Sequence, residues 1–245
     1  MKICNLNTYV EDCGCGEVVL FLHGWGSSHL DFAGTSKIVQ RTMRVINIDL
    51  WGFGKSEEPC SDFLSDDYAD MVYELLKKLK IKKVHLVGHS FGGKIATKLC
   101  VKFPDFVKSL ILVDSAGLQK KLSFFVKKRM KRYKKLKILV FQGKKDSNVL
   151  EKFGSEDYKN SSQTMRKIMV KVVNESCEQD FAKVNVPTLI FWGKKDKDTP
   201  LYMGKRINQL IKNSKFVILN GGHFSHIDDF EKFNKLCFEF WRSIW

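Results

Sequence analysis

At 245 residues, 44% apolar and 28% charged with a net charge of +15, the chain can bury one full hydrophobic core and is too apolar to be a disordered polyelectrolyte. No apolar run is long enough to cross a bilayer, and Glu11, Asp12 and Glu17 interrupt the first twenty residues, so neither a membrane span nor a signal peptide is predicted. The seven cysteines are odd in number and scattered, and Cys13 and Cys15 lack the partners of a zinc site, which predicts reduced thiols and a cytoplasmic location.

Taken in chain order, the first strand candidate is Val18–Leu22, followed by the glycine-bearing turn Leu22-His23-Gly24-Trp25-Gly26. A second strand, Val45–Leu50, runs into a loop with Asp49, Gly52, Gly54 and Ser56. A helix is predicted over Asp67–Leu79 with Ser65 as N-cap, because Tyr68, Met71, Val72, Leu75, Leu76 and Leu79 form one apolar stripe. The run Val84–Val87 then meets Gly88-His89-Ser90-Phe91-Gly92-Gly93, and a helix over Lys94–Phe103 ends at Pro104. This reads as strand, tight turn and helix with a serine at the apex, where small neighbours let strand and helix approach closely. Leu110–Val113 is the next strand.

Residues 117–183 break the alternation, being too long for a simple crossover. Two readings compete: a helical lid, which the missing turn signals before Leu136–Phe141 favour, or an extra core strand at Ile138–Phe141. Between Leu118 and Lys145 twelve residues are basic (120, 121, 127, 128, 129, 131, 132, 134, 135, 137, 144 and 145) and none is acidic. A solvated helix face accounts for such a run; the patch also allows weak binding of anionic partners, while no nucleic acid is expected as a partner. Another helical pattern covers Ser162–Val173, and Phe124, Phe125, Phe141, Phe153, Tyr158, Met165 and Met169 are predicted to line or cover a pocket. Beyond lie the strand Thr188–Trp192, a helix Leu201–Ile211 after Pro200, the strand Phe216–Leu219 and a closing helix Asp228–Trp241. Near-continuous apolar strands alternating with helices predict an α/β fold with a doubly wound, mostly parallel sheet.

The chemistry follows from what stands at the strand ends. A serine hydroxyl needs a base, and the base needs an orienting acid. The loop Gly193-Lys194-Lys195-Asp196-Lys197-Asp198-Thr199-Pro200 offers the acid, and Gly221-Gly222-His223-Phe224 offers the base. Reacting groups in open α/β sheets gather at that carboxyl edge. Acyl transfer also needs donors for the developing oxyanion, and the backbone N–H groups of Phe91 and Trp25 are the candidates. Asp198 and Asp114 are rival acids. His226 is a rival base expected to meet solvent or the lid, and His89 and His23 are expected to organise loops. Gly52-x-Gly54 lacks the third glycine of a dinucleotide site, so no cofactor and no metal is predicted.

Five motifs together resemble the α/β-hydrolase superfamily, in particular its group of bacterial serine esterases and carbon–carbon bond hydrolases. They are His-Gly-x-Gly at 23–26, Asp-x-x-Gly-x-Gly-x-Ser from Asp49 to Ser56, Gly-x-Ser-x-Gly at 88–92, Gly-x-x-Asp-x-x-x-Pro at 193–200 and Gly222-His223. The resemblance covers residues 1–245 and is weakest over 117–183. Trp51 stands where the family often has proline. The resemblance implies Ser90 as nucleophile, Asp196 as orienter and His223 as general base. It also implies a core of residues 1–116 and 184–245, with a helical lid (cap) subdomain at 117–183 inserted after the sixth strand. The activity it implies is hydrolysis of a carboxylic ester of a small or medium acyl substrate through an acyl-enzyme. The alternatives are carbon–carbon bond hydrolysis of a carboxylated diketone-like substrate, with Arg166 as its cation, and a ligand sensor that keeps the triad and signals through its lid. A serine nucleophile argues against the aspartate-based reactions of dehalogenation and epoxide opening.

Overall fold

The computed structural model describes residues 1–120, 124–150, 152–153 and 155–244; Lys121 of the basic segment lies outside them. Seven strands form one sheet: β3 (Val10–Cys13), β4 (Val18–Leu22), β5 (Arg44–Ile48), β6 (Val84–His89), β7 (Val107–Val113), β8 (Thr188–Gly193) and β9 (Ser214–Leu219). Their spatial order is β3-β5-β4-β6-β7-β8-β9, and every pairing is parallel except that of β3 with β5. Two-residue strands β1 (Lys2–Ile3) and β2 (Leu6–Asn7) pair separately across a turn in which Cys4 and Asn5 take φ of 44° and 70°.

Period-two alternation divides the core into two layers. Leu20, Leu22, Leu86, Leu110, Leu112, Ile190 and Trp192 face one side, packed with α2 (Ser65–Lys78), α3 (Phe91–Lys102) and α8 (Leu201–Leu210). Val19, Phe21, Val87, Ile111, Val113, Leu189 and Phe191 face the other, against α1 (Ala33–Val39) and α10 (Phe230–Arg242). Both faces are covered, which is why these strands read as near-continuous apolar runs.

Between β7 and β8 the described residues hold α4 (Phe124–Phe141), α5 (Glu156–Asn160), α6 (Gln163–Asn174) and α7 (Glu178–Phe181), and no strand. The competing strand at Ile138–Phe141 is therefore the last turn of a helix. The insertion follows the fifth strand of the large sheet in chain order, not a sixth, because the first seven residues turn back on themselves as β1 and β2 instead of extending that sheet. α6 docks Met165, Ile168 and Val172 on the α2/α3 layer. Its carboxyl end is held by Lys94, which is 2% exposed, pairs with the Glu175 carboxylate at 3.1 Å and donates to the carbonyls of Val172 and Glu175. Ser65 does not cap α2 as predicted. It is the helix's first residue, its hydroxyl donates to Glu175, and the Leu64 N–H is satisfied by Asp67 at 2.6 Å. The closing helix is split at Asp229 into α9 (Ser225–Asp228) and α10.

Candidate active site

Ser90 sits between β6 and α3 at φ 49° and ψ −110°, in the left-handed region that a residue with a Cβ occupies only under strain. Its backbone is tied on both sides: the N–H bonds Val113 O at 3.0 Å, and the carbonyl accepts from Gly93 at 3.1 Å and Ala116 at 2.9 Å. A Cβ at Gly92 would collide with the Leu22 carbonyl, so only glycine lets α3 start this close to β4.

The Ser90 hydroxyl is 2.9 Å from His223 Nε2, and His223 Nδ1 is 2.8 Å from Asp196 Oδ2. The second bond sets the tautomer: Nδ1–H donates to the carboxylate, leaving Nε2 to accept from Ser90. Asp196 is itself oriented. Its Oδ1 accepts the N–H groups of Asp198 (2.8 Å) and Thr199 (3.0 Å), and its Oδ2 accepts the Thr199 hydroxyl (2.8 Å). Burial pushes the Asp196 carboxyl up, but its bond to His223, that residue's charge and Thr199 outweigh it and hold the group below its usual range. For His223 burial pulls the imidazole down, and the bond and charge of Asp196, with Asp114 and Asp198, raise it above its ordinary value.

The backbone N–H groups of Trp25 and Phe91 have no protein acceptor among the described residues. Their rings meet edge to face at 5.4 Å. The turn bearing Trp25 is braced by His23, whose Nε2 accepts the Leu50 N–H at 3.0 Å while Nδ1 donates to Gly24 O at 2.7 Å. Burial lowers the His23 pKa and keeps that ring neutral in this role. Trp51, in place of the family's proline, is buried and donates its indole N–H to the Thr8 hydroxyl at 2.8 Å.

The rivals are put to other uses. Asp198 contributes its backbone N–H to Asp196. Asp114, at the end of β7 with φ 46°, accepts from Gly193 N–H (2.6 Å), Ser225 N–H (3.1 Å) and Ser225 Oγ (2.6 Å). His226 is buried, not facing solvent or the insertion, because Asp31 draws its ring inward: Nε2 lies 3.4 Å from the Asp31 carboxylate and 3.2 Å from its carbonyl. His89 points away from Ser90, with Nδ1 on Asp31 Oδ2 (2.8 Å) and Nε2 on the carbonyl of His223 (2.7 Å).

Asp31 carried no signal in the sequence, yet its carboxylate also accepts Gly24 N–H at 3.2 Å, so one buried acid touches three site loops. Thr199 is equally silent in the sequence, standing between Asp198 and Pro200 as a variable position of its loop. Asp31–His89–His226 and Asp196–Asp198–His223 are the two groups of metal-ligating side chains that converge among the described residues. In both, the central carboxylate already accepts protein donors, the pattern of an orienting network and not of an open coordination shell.

In the insertion, Arg166 donates to the carbonyls of Tyr158 (2.8 Å) and Lys159 and lies over the Tyr158 ring, so its guanidinium is engaged within its own segment. Phe124, Phe125 and Phe141 were expected to line or cover a pocket; they are 75%, 80% and 93% exposed, because α4 turns them outward. Met165 does turn inward, against Gly52.

The family profile described as alpha/beta hydrolase fold matches residues 17–153 and 118–230. Lipase 3 of a Moraxella species is 27% identical, covering 87% of this chain and 73% of that protein. A 2-hydroxy-6-oxononadienedioate/2-hydroxy-6-oxononatrienedioate hydrolase of Pseudomonas putida is 26% identical, covering 96% and 92%. Among solved structures, an esterase from Exiguobacterium antarcticum superposes with a TM-score of 0.76 at 24% identity, over 96% of this chain and 95% of the other.

Proposed function

The chain belongs to the α/β hydrolase fold family, and from that premise we propose that it is a serine hydrolase cleaving carboxylic esters of small or medium acyl chains. Ser90 is the nucleophile, His223 the general base and Asp196 its orienter. The Trp25 and Phe91 N–H groups form the oxyanion hole. The observation that carries this reading is the unbroken chain from Ser90 Oγ to His223 Nε2 (2.9 Å) and from His223 Nδ1 to Asp196 (2.8 Å), starting at a strained turn.

His223 takes the Ser90 proton as Oγ attacks the acyl carbon, and the charge that moves to the carbonyl oxygen is met by the two N–H donors. The imidazolium is stabilised by Asp196 and then protonates the leaving alkoxide. Water, deprotonated by His223, attacks the acyl-enzyme and frees Ser90. Residues 117–183 serve as a helical lid subdomain on a core of 1–116 and 184–245, with α6 as its anchored part.

Carbon–carbon bond hydrolysis is the second reading, favoured by the resemblance to the Pseudomonas putida enzyme. It needs a cation for the substrate carboxylate, and Arg166 is already spent on backbone carbonyls, which ranks it below ester hydrolysis. One experiment separates the readings: chromogenic esters of increasing acyl length and one carboxylated diketone, turned over by wild type and Ser90→Ala. The expected result is ester turnover that falls about 10⁴-fold or more in the variant. Turnover of the diketone alone would favour the second reading, and equal ester rates in both proteins would overturn both.

A further inference from the structure

Helix α4 plays no part in the proposed chemistry, and its surface is unusual. Its 18 residues include eight basic ones and no acidic one. Positions 124, 128, 131, 135 and 138 share one stripe, reading Phe, Lys, Lys, Lys, Ile; positions 130, 134, 137 and 141 form the adjoining stripe, reading Met, Lys, Lys, Phe. All nine side chains are exposed, whereas Tyr133, Leu136 and Val140 on the other side are half-buried, with Tyr133 packed against Phe153. Exposure reaches 75% at Phe124, 46% at Met130, 57% at Ile138 and 93% at Phe141. Among the described residues, the insertion's own cations that form ion pairs are Lys159 and Lys171, and not Lys128, Lys131, Lys134, Lys135 or Lys137.

Single exposed apolar residues are ordinary, but four large ones set among five lysines with no ion pair among the described residues pose two demands at once. The lysines need a diffuse negative field and the apolar side chains need hydrocarbon. A second copy of the chain would bring like charge to like charge. A nucleic acid would answer the lysines and leave Met130 and Ile138 in water. It would also favour arginine, and one of the helix's two arginines, Arg129, is spent on Lys152 O (3.0 Å) and the Phe153 ring. An anionic bilayer meets both demands, with apolar side chains at the headgroup–acyl boundary and lysine stems reaching up to the phosphates.

We propose that α4 docks this protein on an anionic phospholipid surface through the face bearing Phe124, Met130, Ile138 and Phe141 among its lysines. The inference does not depend on the role given to Ser90. The insertion that carries α4 follows Ala116, whose N–H bonds the Ser90 carbonyl at 2.9 Å.

The test is co-sedimentation of the full chain with vesicles of phosphatidylcholine alone and of phosphatidylcholine mixed with phosphatidylglycerol, at low and high salt. Binding to the mixed vesicles only, weakening as salt rises, is expected. The combined Lys128→Gln, Lys131→Gln and Lys135→Gln variant should lose about a hundredfold in partitioning. The Met130→Ser, Ile138→Ser variant should bind more weakly at both salt concentrations. Both variants should melt as wild type by circular dichroism, since every substituted side chain is exposed. Equal binding to the two vesicle types, wild-type partitioning by the lysine variant, or capture of a DNA oligonucleotide without capture of vesicles would overturn the proposal.

Discussion

Asp114 and Asp196 stand at adjacent strand ends, both buried, and what each touches separates their roles. Asp196 faces the imidazole of His223, whereas Asp114 spends both oxygens on Gly193 and Ser225. Burial pushes the Asp114 carboxyl up to about 6, although Ser225 and Gly193 pull it back. Asp196→Asn is therefore expected to lower ester kcat by about 10⁴-fold through the wrong tautomer of His223. Asp114→Asn should cost about 1–3 kcal/mol of stability in urea melts and leave kcat within about tenfold. The pH profile adds a sign. A general base must be neutral, and His223 is held above the ordinary imidazole value, so kcat/KM should fall on acidification with a midpoint above about 6.5. In Asp196→Asn the strongest of the groups that raise it is lost while burial remains, with only Asp114 and Asp198 to oppose it, so residual activity should show a midpoint shifted to lower pH. A profile that does not move, or a larger kcat loss in Asp114→Asn, would reassign the acid.

Elements buried on both sides were the legible ones. β4, β6, β7 and β8 lie between two helical layers, and their sequences show it as near-continuous apolar runs. β3 was not foreseen, because Val-Glu-Asp-Cys at the sheet edge pairs only with β5 and is half open to water. Ser65 carries the composition of a cap, but Glu175, 110 residues away in sequence, takes its hydroxyl, a contact that local pattern cannot contain. The anchoring of α6 through buried Lys94 was hidden for the same reason: lysine reads as surface unless its distant acceptors are known. The stripe Met165, Ile168, Val172 packs α6 on the core, so Ile168→Ala should cost about 2–5 kcal/mol by denaturant unfolding. A cost below about 1 kcal/mol would mean that α6 does not pack as described.

Across the whole molecule the site is assembled from loops at the ends of β4, β6, β8 and β9, brought side by side by the parallel sheet. The order Ser90, Asp196, His223 was readable because each lies directly after an apolar strand. What joins the loops was not, since Asp31 belongs to no motif. Its carboxylate binds Gly24 in the Trp25 loop, His89 beside the nucleophile and His226 beyond the base, and His89 in turn bonds the His223 carbonyl. Asp31→Ala would leave His89 and His226 buried without their acid, at a cost of about 3–5 kcal/mol in unfolding free energy; a neutral substitution would show that the loops hold themselves.

The identity of the nucleophile is tested most directly by covalent labelling. After incubation with a fluorophosphonate, intact-mass and peptide mass spectrometry should find one adduct per chain, on Ser90. Labelling should be absent in Ser90→Ala and slowed in His223→Ala. An adduct on any other residue, or equal labelling of Ser90→Ala, would contradict the account.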